Sequence, residues 1–120
     1  MIARSFEDLE VWRTSRLMCA EIYGITNLGG FTRDFALRDQ IRRAAVSVSS
    51  NIAEGFESRT RGLFLDYLGR AKGSAGEVRS QLYVALDVKY IDEDAFDALC
   101  DRVRHCSAQL HNLMESLRVR

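Results

Sequence analysis

Three cysteines, two histidines and a scatter of arginines are the side chains here whose chemistry could define a function. Cys100 and Cys106 are six residues apart, as are His105 and His111. Six residues along a helix turn a side chain away from its mate, and nothing between either pair completes a metal site. The Glu-x-x-His pairing of di-iron helical proteins is absent, because Arg102 and Ala108 stand three residues before the histidines. Asp101 and His105 have the spacing of one helical turn and read as a surface pair. There is no Gly-x-Ser-x-Gly turn for a nucleophile. Lys72-Gly73-Ser74 has the composition of a phosphate loop in the wrong order, with no strand before it. The expectation is a non-enzymatic protein with no catalytic residues, metal or cofactor.

Charge is the other chemistry. Seventeen basic and seventeen acidic residues cancel over the chain, but not locally. Between Arg33 and Arg79 nine bases (Arg33, Arg38, Arg42, Arg43, Arg59, Arg61, Arg70, Lys72, Arg79) face six acids, whereas Asp92 to Asp101 holds five acids and no base. A basic patch of this kind is what phosphate contacts require. The opposing reading is that Asp34–Arg38, Asp39–Arg43, Glu57–Arg61 and Asp66–Arg70 are intrahelical pairs at i, i+4. Arg33, Arg42, Arg59, Lys72 and Arg79 have no such partner.

These residues need elements to position them, and the apolar spacing supplies four helices. Ser5 and Asp8 are spaced as a capping box before a first helix over about 6–28, which Asn27, Gly29 and Gly30 would end. Leu37, Ile41, Ala44, Ala45, Val48 and Ile52 mark a second helix over about 34–55, broken at Gly55. Phe64, Leu68, Ala71, Ala75, Val78, Leu82 and Ala85 mark a third over about 59–89. Its glycines at 69, 73 and 76 each cost about 1 kcal/mol relative to alanine, and close approach of a neighbouring helix would explain them. Asp92 caps a fourth helix over about 92–118, where Phe96, Leu99, Val103, Cys106, Leu110, Leu113 and Leu117 alternate threes and fours. The predicted fold is all-α, an antiparallel up-down-up-down four-helix bundle in a single domain of 120 residues. Val11 beside Trp12, and Leu65 and Tyr67 beside Phe64 and Leu68, add apolar side chains beyond one stripe, which predicts contact with another subunit.

The odd cysteine count points to a reducing cytoplasm. The longest uncharged run, 22–32, is about half of what a bilayer span needs, and the N-terminus does not read as a signal peptide. A cytoplasmic protein with no membrane partner is expected.

Phe6-Glu7-Asp8-Leu9-Glu10-Val11-Trp12, Gln40-Ile41-Arg42-Arg43-Ala44-Ala45-Val46-Ser47-Val48 and Ser50-Asn51-Ile52-Ala53-Glu54-Gly55 together resemble the small bacterial four-helix bundle protein family. Its best-known members are encoded by intervening sequences in the 23S ribosomal RNA gene. Gln81-Leu82 with Ala85, and Lys89-Tyr90-Ile91, extend the resemblance over nearly the whole chain. The family usually carries Ile-Pro before its Ser-Asn-Ile-Ala-Glu-Gly. Val48-Ser49 stands there in this chain, so any kink in the second helix should be milder. The resemblance implies a helical subunit assembling into a ring-like homopentamer. It also implies nucleic-acid binding through a basic surface, as in the similar accessory protein of diversity-generating retroelements.

Two readings follow. In the first, a homo-oligomeric scaffold binds RNA or DNA, with Arg38, Arg42, Arg43, Arg59, Arg61, Arg70 and Lys72 as contacts. In the second, the chain is a protein-interaction scaffold whose acidic fourth-helix start receives a basic protein partner. An enzyme with a site between subunits would have only Asn51, Glu54 and Arg43 to draw on.

Overall fold

A computed structural model describes residues 2–118. Among them are four long helices and no strand: α1 Glu10–Ile25, α2 Phe35–Glu57, α3 Arg61–Asp87 and α4 Glu93–Arg118. Short 3-10 turns at Phe6–Asp8 and Gly29–Thr32 precede α1 and α2.

The chain does not form one helix over 6–28. Asp8 accepts hydrogen bonds from the backbone N–H groups of Arg4 (2.9 Å) and Ser5 (3.3 Å), so the Ser5–Asp8 box caps the first 3-10 turn. Leu9 is extended, and α1 starts after it. At the other end α1 stops at Ile25, where the fully buried Thr26 turns its hydroxyl back to the Ile22 carbonyl (2.7 Å).

The remaining helix starts have a side-chain oxygen on an otherwise unpaired amide. Asp34 accepts from Leu37 N (3.1 Å), Thr60 from Leu63 N (3.2 Å) and Asp92 from Ala95 N (2.8 Å). α3 closes in a Schellman turn: Tyr90 N donates to Ala85 O (2.9 Å) and Lys89 N to Leu86 O (3.0 Å). Lys89 holds the left-handed conformation (φ 66°) that glycine usually supplies there, and Arg59 (φ 67°) does so just beyond α2.

The expected core stripes are buried except at their ends, where Phe64, Leu113 and Leu117 are half-buried. Ile41, Ala45, Val48 and Ile52 of α2 meet Leu68, Ala71, Ala75, Val78 and Leu82 of α3, with Met18 and Ile22 of α1 and Val103, Cys106 and Leu110 of α4 completing the interior. α2 packs on α1 and α3, and α4 on α3 and α1. The subunit measures 47 × 22 × 20 Å.

Two glycine expectations are reversed. Gly55 does not break α2 but lies buried within it, and a Cβ there would stand 2.7 Å from Tyr67 Cβ and 3.0 Å from Phe64 Cδ1. The close helix approach is therefore at Gly55. Gly73 and Gly76 sit on the exposed side of an unbroken α3 with nothing near them, and Gly69 would meet only Met114 Cε at 3.8 Å. Gly30 is held to glycine by the Tyr90 ring stacked against it.

Candidate nucleic-acid interface

The sequence-predicted cations fall into two groups at different places. Arg38, Arg42 and Arg43 lie in the first half of α2. Arg59 and Arg61 flank the start of α3, with Arg70 and Lys72 two to three turns further on. At 1.5 Å per residue Arg59 and Arg61 lie roughly 20 Å or more along α2 from Arg43, so one subunit does not gather them with the first group, whereas Lys72 stands two residues from Ser74, which meets Ser47 of α2.

Within the first group the guanidinium of Arg42 is already taken. Its Nε donates to Thr26 Oγ1 (2.8 Å), its Nη2 to Asn27 Oδ1 (2.9 Å), and its plane lies over Tyr23 with 4.6 Å to the ring centroid. Arg42 thus ties the end of α1 to α2 and is not the free cation that its missing acidic partner suggested. Arg38 lies over Phe35 (4.7 Å) with a long contact to Asp39 (3.4 Å). Arg43 is exposed and unpaired among the described residues, between two shallow depressions. One, of about 290 Å³, is lined by Gln40, Ala44, Ser47 and Glu77, and the other, of about 390 Å³, by Tyr23, Asp39, Arg42 and Val46.

The second group is freer. Arg59, Arg61 and Lys72 are exposed and none forms an ion pair among the described residues. Arg70 is exposed and rests on the Tyr67 ring (5.0 Å), a stacked guanidinium with its edge open to solvent.

None of the four expected i, i+4 pairs closes. Asp34 is the clearest case: Oδ1 caps α2 and Oδ2 accepts the Tyr90 hydroxyl at 2.9 Å, while Arg38 lies over Phe35 instead. That hydrogen bond and the carboxylate charge hold the Tyr90 phenol above its ordinary pKa. Asp101 turns to Arg104 (3.9 Å) rather than His105. The pairing that does cross the core boundary is Arg102 with Glu21, two hydrogen bonds of 3.1 and 3.2 Å joining α4 to α1. What sequence reasoning missed is the aromatic ring under Arg38, Arg42 and Arg70. Phe35–Arg38 and Tyr67–Arg70 are at i, i+3, a spacing that could have signalled it.

The polar residues near the middle of α2 are engaged structurally. The Asn51 amide donates to the Ser47 carbonyl (2.8 Å) and hydroxyl (3.0 Å), and Ser47 Oγ meets Ser74 Oγ of α3 at 3.0 Å. The thiols are shielded: Cys19 donates to Ala45 O (3.0 Å), and burial lifts Cys106 from the ordinary 9.0 to about 12. Among the described residues no three Cys, His, Asp or Glu side chains converge on a metal position. No described helix is long and apolar enough to cross a membrane.

Val11 does not belong to a second apolar stripe, because it is 4% exposed and part of the core. Leu65 and Tyr67 are half-buried. The large apolar side chains left in solvent are others, among them Leu17 and Tyr23 on α1, Phe35 and Val46 on α2, and Tyr83, Val84 and Val88 on α3.

These features define an all-helical, four-helix protein whose distinguishing surface is a set of arginines on aromatic rings. Residues 7–112 match the family model of the 23S rRNA-intervening sequence protein, and the chain belongs to that family. Among solved structures it is similar to a protein of unknown function from the S23 ribosomal protein family of Bacteroides thetaiotaomicron VPI-5482. The identity is 21%, the TM-score 0.82, and the match covers 88% of this chain and 95% of that one. No curated protein matches the sequence.

Proposed function

We propose that this chain is a non-enzymatic, cytoplasmic, homo-oligomeric scaffold that binds nucleic acid, structured RNA foremost, through phosphate contacts. The carrying observation is the turn between α2 and α3. Arg59 is held in the left-handed conformation next to Arg61, both are exposed, and neither has an acidic partner. A non-glycine residue kept at positive φ pays a local conformational cost, which a functional arginine at the tip of a turn would justify. Arg70 and Lys72 lie two to three turns further along α3, and Arg43 adds a second point of contact. Membership of a family linked to 23S rRNA supports RNA as the ligand.

The subunit architecture proposed is the antiparallel up-down-up-down bundle. It is supported by nested partners across α2 and α3, with Gly55 against Tyr67, Ser47 against Ser74 and Asp34 against Tyr90. A ring of five, which the family resemblance implies, would turn one weak patch into five linked ones, and avidity would then supply the affinity.

Fluorescence anisotropy with a labelled RNA stem-loop and a DNA duplex tests this. Affinity should be weakly sequence-selective and fall steeply between 50 and 200 mM salt, as on the order of 10-fold or more for several phosphate contacts. The doubly reversed Arg59→Glu/Arg61→Glu protein should bind weakly with a shallower salt slope. No binding at low salt, or unchanged binding by the reversed protein, would refute the proposal. The rival reading, a protein-interaction scaffold, draws on Glu93, Asp94 and Asp97, which stand exposed at the start of α4 without ion-pair partners among the described residues. A stable protein complex that survives nuclease treatment would favour it.

A further inference from the structure

Of the arginines that lie on aromatic rings, two share one face of the subunit. On α2, Phe35, Asp39, Arg42 and Val46 recur at intervals of 4, 3 and 4, which places them in one stripe along the helix. The Phe35 ring carries the Arg38 guanidinium and is 61% exposed, the most of any ring among the described residues. The Tyr23 ring, reaching the same stripe from α1, carries Arg42 and is 42% exposed. Phe35 is no part of the core, so packing inside the subunit does not account for a phenylalanine there.

Each ring walls a depression that also holds a free cation. Phe35 and Tyr90 line one of about 580 Å³ together with Arg33, and Tyr23 lines that of about 390 Å³ with Arg43. Arg33 and Arg43 are exposed and form no ion pair among the described residues. The acids of the face are committed elsewhere: Asp34 to the α2 cap and the Tyr90 hydroxyl, Asp39 to Arg38 at 3.4 Å. What remains is positive charge beside exposed rings. A phosphate needs the charge alone, whereas a nucleotide whose base is free to stack uses both. In a duplex the base faces are covered by their neighbours, so only unpaired nucleotides reach the rings. Phe35 and Arg42 are seven residues apart, about 10 Å along α2. That is the reach of two or three nucleotides at about 3.4 Å each.

We propose that the Phe35–Tyr23 face binds an unpaired segment of RNA, stacking bases on the two rings while Arg33 and Arg43 meet the flanking phosphates. This rests on the nucleic-acid reading above and adds which part of an RNA is taken and where. Loops and single-stranded stretches engage α2 and α1 here, and the Arg59–Arg61 turn, at the other end of α2, is left to paired regions.

Fluorescence anisotropy with a labelled oligouridylate, which has no paired structure, and with an RNA duplex of equal length tests the assignment. The variants are Phe35→Ala and Tyr23→Ala, with Phe35→Tyr and Tyr23→Phe as ring-retaining counterparts. Both positions are exposed, so helical circular dichroism should be kept. Each alanine variant should bind oligouridylate about 10-fold more weakly, the worth of one stacked base. Its duplex affinity and its salt slope should stay as in the wild type, because no cation has been removed. The ring-retaining variants should bind oligouridylate as the wild type does. Alanine variants that bind oligouridylate undiminished, or that lose duplex affinity equally, would overturn the stacking face while leaving nucleic-acid binding standing. So would a change of native mass in Phe35→Ala or Tyr23→Ala, which would make this face a contact between copies of the chain. A wild-type protein that binds neither probe at low salt would overturn the nucleic-acid reading itself and this site with it.

Discussion

Replacing Gly55 with alanine sets helix propensity against packing at one position. On an open helix the substitution should stabilise by about 1 kcal/mol, because glycine has more backbone freedom to lose on folding. At Gly55 the new methyl group would stand 2.7 Å from Tyr67 Cβ, 3.0 Å from Phe64 Cδ1 and 3.4 Å from the Phe64 carbonyl oxygen. The Phe64 ring can swing aside, but Tyr67 Cβ moves only with the α3 backbone. Separating two packed helices in this way costs about 1–3 kcal/mol. The net expectation is a loss of about 1 kcal/mol, opposite in sign to propensity. Gly62→Ala is the control, since a Cβ there meets nothing and should be neutral to stabilising by up to about 1 kcal/mol. Urea denaturation followed by circular dichroism would measure both, with a constant m-value confirming that only stability changed. Repeating it over a range of protein concentration keeps any assembly energy separate. If Gly55→Ala stabilises as much as Gly62→Ala, the closeness of α2 to α3 does not depend on that glycine and the packing argument fails.

Arg59→Gly and Lys89→Gly should each stabilise by about 0.5–1 kcal/mol in the same assay, because both residues hold φ near +66°; Arg59→Gly should at the same time weaken RNA binding. Arg42→Ala should cost about 1–2 kcal/mol of stability through the lost bonds to Thr26 and Asn27, with RNA affinity little changed, which separates it from Arg59 and Arg61. The Cys106 thiol ionises near 9.0 in the unfolded chain but near 12 in the fold. Its burial therefore contributes fully below pH 9, and stability should drop by up to about 1.4 kcal/mol per pH unit from there to about 12, a loss that Cys106→Ala should remove from an alkaline denaturation profile.

How much the sequence disclosed depended on the kind of interaction. The stripe from Phe96 to Leu110 in α4 and that from Leu68 to Ala85 in α3 were legible because burying apolar area follows one period whatever the partner. The cap Asp92 was legible for a related reason, since it acts within three residues. Glycines were harder to read: the residue that permits close packing inside the subunit, Gly55, looked like a helix breaker, and the ones placed outward, Gly73 and Gly76, looked like packing sites. Which side of a helix a glycine faces follows from its neighbours' burial, but what stands opposite it does not. The charged residues were least legible. Asp34 had an acceptable partner in Arg38, but a tyrosine 56 residues away took that oxygen instead, and Arg42 was claimed by Tyr23, Thr26 and Asn27. Exposed ion pairs are worth too little for spacing alone to decide them.

The Tyr90–Asp34 hydrogen bond bears on the order in which the molecule forms. Contacts between α2 and α3 nest outward from their connecting turn, Gly55 with Tyr67, then Ser47 with Ser74, and finally Asp34 with Tyr90. Each encloses more chain than the one before, so closing the outermost first would sacrifice the most conformational freedom. Zipping from the turn is the low-entropy route, and it leaves the Asp34 clasp to engage after the main barrier has been crossed. Tyr90→Phe should then hasten unfolding while leaving the folding rate nearly unchanged, the signature of a contact made late. The hydroxyl at one end of the subunit governs how long the native state lasts, and the turn at the other governs how soon it is reached.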